Sequence, residues 1–275
     1  MSDRTAGEAR ILEAFTQARE QGRAALMPYM MGGFPDQATS LAIARSYADH
    51  ADLIELGVPF SDPLADGPVI HDAAVQALAA GTRLDDVLDI CRDVADRIPV
   101  VLMVYTGTIL GGEGPAAFAA RAVEAGASGV IVPDLPLGED EPIRDAIRQA
   151  GLAVVPLVAP TTLGERRAEI GQVANGFVYV VSSVGTTGER SEVPAHLREL
   201  VADVSSHTEV PVAVGFGIGS AEHAATVGGL ADGVIIGSRL VRIAAEAGPE
   251  RAPAAVSEFL SEAASALASA GASVR

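Results

Sequence analysis

The chain has 275 residues and a formal net charge of -17 at pH 7, because 36 acidic residues oppose 19 basic ones. This negative charge disfavours nonspecific binding to nucleic acids or anionic membranes, since both would repel the protein. All the basic residues are arginine and the chain contains no lysine. The absence of lysine excludes Schiff-base aldolase chemistry, covalently held pyridoxal phosphate and a P-loop lysine in this chain.

Cysteine and histidine content restricts the chemistry further. The single cysteine, Cys91, excludes an internal disulfide, and the 5 histidines show no close ligand spacing, which argues against a structural zinc site. No apolar stretch approaches the roughly 20 residues of a membrane span, and the N-terminus lacks the apolar segment of a signal peptide. We therefore expect a cytoplasmic protein.

Short apolar runs rich in β-branched residues alternate with helical patterns along the chain. The runs that predict strands span residues 25–31, 51–57, 99–105, 129–133, 153–158, 177–182, 211–214 and 233–237. Continuous apolar strands that are joined through helices indicate a parallel sheet covered on both faces. Eight such units in about 250 residues favour a closed (β/α)8 barrel, or TIM barrel, over a doubly wound sheet.

Both ends of the chain predict additional helices. The residues before Met27 have the pattern of an extra N-terminal helix, and residues 253–270 begin with a proline and continue with Ala, Ser and Glu, as a terminal helix would. No linker or shift in composition divides the chain. We therefore expect residues 1–275 to form a single barrel domain.

An acidic residue, Glu55, interrupts the second apolar run. A carboxylate in an apolar strand is costly enough that it usually shifts its pKa or finds a partner. Eleven residues on, the loop that leaves this strand supplies a second acid, Asp66, between prolines and a glycine. Two acids in different surroundings are what paired proton transfer requires. Alternatively, Glu55 only caps a strand end, and Asp62 and Asp66 only form turns.

Glycines follow the seventh and eighth runs, at Gly217 and at Gly237 beside Ser238. In barrels of this kind, phosphate commonly binds the loops after these two strands, where bare backbone amides, a hydroxyl and a helix N-terminus can converge on an anion. We therefore predict a phosphate site at these three residues. Glycines at such turns can equally serve tight packing.

The loop after the sixth run, residues 183–192, is small and polar. It could be plain surface or a lid that closes over a substrate and excludes water. Three aromatic residues, Tyr29, Tyr179 and Phe216, are candidates for the wall of an aromatic substrate pocket, although buried aromatics are usually core residues.

Residues 54–68 read Ile-Glu-Leu-Gly-Val-Pro-Phe-Ser-Asp-Pro-Leu-Ala-Asp-Gly-Pro, which closely resembles the signature of the tryptophan synthase alpha subunit family. The resemblance extends over about residues 28–242, through segments 133–136, 179–182, 186–188, 215–218 and 237–238. It implies retro-aldol cleavage of indole-3-glycerol phosphate to indole and glyceraldehyde 3-phosphate. In that reaction Glu55 would protonate the indole carbon that bears the side chain and then deprotonate the glycerol hydroxyl, while Asp66 would accept a hydrogen bond from the indole nitrogen.

The resemblance also assigns further contacts. It implies that Thr187 contacts Asp66, that Gly188 meets the phosphate, and that Tyr179 and Phe216 line the substrate pocket, with Tyr29 where the family often has phenylalanine. No cofactor is expected in this chain. The chain would form an alpha2beta2 heterotetramer with a beta subunit that carries pyridoxal phosphate and uses the indole to make tryptophan. Pro59 and Asp62 are the predicted contacts to that partner.

The chain departs from the family pattern in three places. Residues 105–108, Tyr-Thr-Gly-Thr, replace a more usual Tyr-x-Asn-Pro-like loop, Met30-Met31 replaces an Ile-Thr pair, and His71 stands where glutamine is common. In the family, the loop at 105–108 borders the beta subunit, so its change concerns partner docking. Three alternatives stay open at this point: another phosphate-binding barrel enzyme such as a sugar-phosphate isomerase, a regulatory binding module, and a stand-alone lyase that releases free indole.

Overall fold

The computed structural model describes residues 4–181, 195–215 and 217–272. Its strands form one sheet in which every neighbouring pair is parallel, in the order β5-β4-β3-β2-β1-β9-β8-β7-β6. The strands are β1 (Ala25–Met31), β2 (Ile54–Gly57), β3 (Val100–Met103), β4 (Gly129–Ile131), β5 (Ala153–Val155), β6 (Leu157–Val158), β7 (Val178–Val181), β8 (Val212–Gly215) and β9 (Gly233–Ile236).

Helices surround this sheet and connect its strands. They are α1 (Ala6–Glu20), α2 (Gln37–Tyr47), α3 (Pro68–Ala79), α4 (Leu84–Val94), α5 (Thr106–Leu110), α6 (Pro115–Glu124), α7 (Glu141–Gln149), α8 (Gly164–Val173), α9 (Ala195–Ser205), α10 (Ala221–Gly228), α11 (Ser238–Ala247) and α12 (Ala252–Ala272). Within the described ranges, no helix is both long and apolar enough to cross a membrane.

The two ends of the strand order meet in one short stretch of chain. β5 pairs with β4, β6 pairs with β7, and only Pro156 separates β5 from β6. Proline has no N–H to give to the ladder, but its carbonyl accepts a hydrogen bond of 2.9 Å from the Tyr179 amide. The sheet is therefore a nearly closed barrel. The barrel prediction is confirmed, with one correction: the fifth predicted strand is divided into two.

Helix α1 closes the amino-terminal end of the barrel. Thr5 and Glu8 form a capping box at its start, and its buried residues Ile11, Phe15 and Ala18 belong to the same apolar cluster as the inward-facing strand residues. The ring of Phe15 lies 5.7 Å from that of Phe177. The extra N-terminal helix predicted from the sequence is therefore present, and it fills the amino-terminal end of the barrel with apolar side chains.

Candidate active site

A cavity of about 110 Å³ opens at the carboxyl ends of the strands. Its described walls come from both halves of the barrel, so residues far apart in sequence meet around one space. Seven of the residues predicted from the sequence line it: Tyr29, Glu55, Asp66, Tyr179, Gly217, Gly237 and Ser238.

Glu55 lies in the middle of β2, where it pairs in register with Tyr29 of β1 and Val101 of β3. Only 2% of its surface is exposed, and its Oε2 atom has no hydrogen-bond partner among the described residues. Burial, and secondly the negative charge of Asp66, raise its pKa from the usual 4.5 to about 8. At neutral pH this carboxyl group is therefore protonated and can donate a proton into the cavity.

Asp66, in the loop between β2 and α3, has different surroundings. Burial raises its pKa above the usual value, but a hydrogen bond from the Tyr105 hydroxyl and the proximity of His71 act in the opposite direction. Its Oδ1 atom has no hydrogen-bond partner among the described residues. The cavity thus holds a neutral Glu55 carboxyl group beside Asp66, whose neighbours Tyr105 and His71 favour the ionised form against the effect of burial. This difference suits a proton donor and an acceptor of an N–H hydrogen bond.

Tyr105, at the end of β3, holds the Asp66 loop in place. Its hydroxyl contacts the Asp66 carboxylate and accepts a hydrogen bond of 3.2 Å from the Ala65 amide. Its ring stacks on Phe60, with centroids 5.0 Å apart and planes 14° apart. Sequence reasoning noted this tyrosine only as part of an unusual loop. Its position at the carboxyl end of a predicted strand was the signal that could have identified it.

The unusual residues that follow Tyr105 fit the same arrangement. Thr106 donates from its amide to Asp134 at 3.0 Å and from its hydroxyl at 2.5 Å, which ties the loops after β3 and β4 together. A Cβ atom on Gly107 would lie 2.9 Å from the Phe60 ring. Glycine at this position therefore makes room for the ring that stacks on Tyr105.

Two tyrosines line the cavity, of which Tyr29 is buried and Tyr179 is half-buried. The hydroxyl of Tyr29 lies over Gly57 and that of Tyr179 over Gly215, and a Cβ atom on either glycine would overlap the ring. Burial raises the pKa of both tyrosines well above the usual 10.0. Both phenols are therefore neutral and form an apolar wall with a polar tip.

The predicted phosphate residues lie at the ends of β8 and β9. Ser238 is the first residue of α11, is only 7% exposed and lines the cavity, so the N-terminus of this helix lies at the cavity. A Cβ atom on Gly237 would make only ordinary contacts, the nearest at 3.6 Å from Tyr29. Tight packing therefore does not explain this glycine. Arg239 is the only cationic side chain among the described lining residues.

Several predicted residues are not among the described residues that line the cavity. Thr187, Gly188, Phe216 and the predicted lid at 183–192 lie outside the described residues. Of the two predicted partner contacts, Asp62 is exposed and Pro59 is buried in the isolated chain; both contacts stay predictions. Among the residues that the structure describes, no group of three His, Cys, Asp or Glu side chains could hold a metal ion.

The cavity lies at the carboxyl end of a parallel barrel and combines two carboxyl groups in unlike surroundings with a helix N-terminus. This arrangement is typical of (β/α)8-barrel enzymes.

The sequence profile described as "Tryptophan synthase alpha chain" matches residues 15–269. The tryptophan synthase alpha chain of Synechococcus elongatus is 45% identical over 244 residues, which cover 87% of this chain and 91% of that one. That of Carboxydothermus hydrogenoformans is 47% identical over 239 residues, or 85% and 88% of the two chains.

Solved structures agree with these sequence matches. A chain from the structure of Mycobacterium tuberculosis tryptophan synthase superposes with a TM-score of 0.86 at 35% identity, covering 96% of this chain and 99% of that one. The tryptophan synthase alpha chain from Legionella pneumophila superposes with a TM-score of 0.84 at 33% identity, covering 94% and 97%. This chain belongs to the tryptophan synthase alpha chain family.

Proposed function

We propose that this chain is a carbon-carbon lyase of tryptophan biosynthesis, which cleaves indole-3-glycerol phosphate to indole and glyceraldehyde 3-phosphate. One observation carries the proposal above the others. Glu55 is buried, has a pKa of about 8 and lines the same cavity as Asp66, so an acid that is protonated at neutral pH stands beside a potential carboxylate.

The proposed reaction needs no cofactor in this chain. Neutral Glu55 protonates the indole carbon that bears the glycerol side chain, and Asp66 accepts a hydrogen bond from the indole nitrogen and stabilises the positive charge. Ionised Glu55 then removes the proton of the adjacent side-chain hydroxyl. As the aldehyde forms, the electrons of the breaking carbon-carbon bond return to the indole ring, and Glu55 regains its proton.

The remaining site residues would hold the substrate. Tyr29, Tyr179 and Phe216 would enclose the indole ring, and Gly188, Gly217, Gly237 and Ser238 would bind the phosphate through backbone amides and a hydroxyl. Thr187 would approach Asp66 when the lid closes. Two observations support these assignments. Tyr29 and Tyr179 line the cavity as neutral phenols, and Gly217 and Gly237 line it without a side chain.

Product analysis tests the proposed reaction. The purified chain is incubated with indole-3-glycerol phosphate, and indole and glyceraldehyde 3-phosphate are measured separately. We expect the two products in equal amounts. An isomerised phosphate ester without indole would instead indicate a sugar-phosphate isomerase, which uses the same phosphate loops.

We further propose that the chain works with a beta subunit in an alpha2beta2 heterotetramer, and that the beta subunit holds pyridoxal phosphate and consumes the indole. The lack of lysine in this chain excludes a covalent site for that cofactor here. Asp62 and Leu64 support docking beside the site, because both are exposed on the Asp66 loop and Leu64 is 81% exposed. Light scattering of the mixed subunits tests the assembly, and separate species at micromolar concentration would favour a stand-alone lyase.

The proposed setting is the cytoplasm, and the proposed domain organisation is one barrel over residues 1–275. Fractionation of cells that produce the intact chain checks the first proposal, since activity in a membrane or secreted fraction would contradict it. Limited proteolysis checks the second, because a single domain should lose its core cooperatively rather than release a stable half.

A further inference from the structure

A second cavity, of about 130 Å³, lies behind the wall of the catalytic one. Its described lining comes from strands β5 and β6, from the loop after β4 and from α7 and α8. Among the described lining residues every side chain is apolar except one, Arg144 of α7. The catalytic mechanism makes no use of this cavity or of its arginine.

The buried guanidinium group of Arg144 is short of partners. The residue is 6% exposed. Its Nη2 atom donates to the Leu135 carbonyl, whereas its Nε atom is buried without a partner among the described residues. Burial lowers the pKa of Arg144 below its usual value, which reflects the cost of holding the charged form here. Buried charges in proteins are normally paired, because an unpaired one is strongly unfavourable.

No carboxylate lines the cavity to supply the missing charge. Glu141 favours the charged form of Arg144, but it lies on the exposed surface of α7, and Arg148 and Arg166 oppose that effect. Arg166 is itself paired with Glu169 at 2.7 Å. The charged form of Arg144 is therefore left without a carboxylate partner inside the described cavity, and a bound anion would supply one.

We propose that this cavity binds a small carboxylate with a short aliphatic group, whose charged end pairs with Arg144. The planar donors of a guanidinium group match a carboxylate, and the apolar walls match the hydrocarbon. The volume equals that of about four liquid water molecules at roughly 30 Å³ each, which limits the ligand to a few heavy atoms.

The position of the cavity links it to the catalytic site. Pro133 and Leu157 line both cavities. The next residue, Asp134, binds Thr106, which follows the Tyr105 that holds Asp66. A bound carboxylate therefore changes the apparent KM for the substrate. This second part rests on the proposed function, whereas the binding of the carboxylate does not.

Isobutyrate and its neutral isostere isobutyramide separate charge from shape. Added to the full-length chain at constant ionic strength, isobutyrate should raise the Tm in a saturable way and isobutyramide should not. Arg144→Met should bind isobutyrate at least about tenfold more weakly, since it loses a charge-assisted hydrogen bond. Arg148→Met, one turn further along the same helix, should keep the wild-type response. If Arg144→Met does not fold, Arg144→Gln, which can still donate to a carbonyl, replaces it.

The outcomes are distinct. The proposal would be overturned if isobutyrate and isobutyramide raised the Tm equally, or if the Tm increase with isobutyrate survived in Arg144→Met. No Tm increase in the wild type would also overturn it, because the cavity would then hold only water. With binding established, the KM for indole release should change with isobutyrate in the wild type and stay constant in Arg144→Met. An unchanged wild-type KM would overturn the link between the cavities. A chain that binds isobutyrate but releases no indole would overturn the proposed function alone.

Discussion

The two carboxyl groups of the site differ because their neighbours differ. Glu55 is buried within the sheet, so burial is the larger cause of its raised pKa and the charge of Asp66 the smaller one, and its pKa rises to about 8. Asp66 sits on a loop, where the Tyr105 hydroxyl and His71 counteract part of the same effect. Two carboxyl groups in one cavity thus differ in how readily they ionise, because burial, hydrogen bonding and nearby charge act on them to different extents.

These pKa shifts predict the pH dependence of cleavage. kcat/KM should fall as pH rises through about 8, because the free enzyme then loses the Glu55 proton. It should also fall in acid, when Asp66 becomes protonated. Initial rates measured from pH 5 to 10 check this expectation. A profile that stays level through pH 9 would show that a protonated Glu55 is not required.

The same shift predicts how stability depends on pH. In the unfolded chain Glu55 ionises near its usual 4.5, and in the folded chain near 8. Between these values the folded state binds the extra proton, so the contribution of Glu55 to the free energy of unfolding falls with rising pH and stays low above 8. Glu55→Gln should therefore gain stability over the wild type from pH 5 to pH 8 in urea unfolding. Glu246→Gln, at an exposed position on α11, is the control. If the difference in the free energy of unfolding between Glu55→Gln and the wild type stayed constant across this pH range, the prediction would be contradicted.

Tyr105→Phe isolates the hydrogen bond to Asp66. The phenyl ring can keep the stack on Phe60, but the hydroxyl that lowers the pKa of Asp66 is lost. The acidic limb of kcat/KM should move to higher pH, and the alkaline limb should stay in place. Tyr47→Phe removes another buried hydroxyl, which donates to the Tyr29 carbonyl at 3.3 Å, and should leave the acidic limb unchanged. An unmoved limb in Tyr105→Phe would mean that its hydroxyl does not tune Asp66.

At the scale of elements, helix α1 stabilises the barrel by filling its amino-terminal end. Phe15 is 5% exposed and contacts Phe177 inside the barrel. Phe15→Ala should lower the free energy of unfolding by roughly 3–5 kcal/mol, as expected for a buried phenylalanine. Leu12→Ala, on a half-buried position of the same helix, should cost clearly less. Equal losses in urea unfolding would mean that α1 only covers the barrel from outside.

The turn after β8 should bind the phosphate through bare backbone. Gly217→Val is expected to raise the KM for indole-3-glycerol phosphate, since the side chain would obstruct the approach of an anion to the amides. Gly229→Val, at the other end of α10 with φ of -76°, gives a matched control away from the cavity. Unchanged affinity of Gly217→Val for glycerol 3-phosphate, measured by calorimetry, would place the anion elsewhere.

Elements were easier to predict from the sequence than contacts. The apolar runs predicted the described barrel strands because buried parallel strands are apolar along their whole length. Pro156 interrupts the pairing within one of these runs, and hydrophobicity alone does not indicate such an interruption. Glu55 was recognisable as an acid in an apolar strand. The contact of Tyr105 with Ala65 joins residues 40 positions apart, and the burial of Pro59 and Arg144 also depends on packing between loops and helices, which no local pattern encodes.

The whole molecule has one closed and one open end. α1 fills the amino-terminal end of the barrel, while the carboxyl ends of the strands carry both acids and the start of α11. A substrate therefore approaches from the side on which the exposed Asp62 and Leu64 lie. A partner that docks there can shift the equilibrium between two positions of the Asp66 loop only if it binds one position more tightly than the other. Each tenfold change in that equilibrium requires a difference in binding free energy of about 1.4 kcal/mol.

The rate of indole release from indole-3-glycerol phosphate by the wild type and by Glu55→Gln, each with and without the beta subunit, tests the acid pair most directly. The wild type should release indole slowly alone and faster with its partner. Folded Glu55→Gln should be at least about 100-fold slower in both conditions, because general acid-base catalysis contributes roughly 10² to 10⁴ in rate and docking cannot replace a missing proton donor. Turnover of folded Glu55→Gln close to that of the wild type would contradict the account.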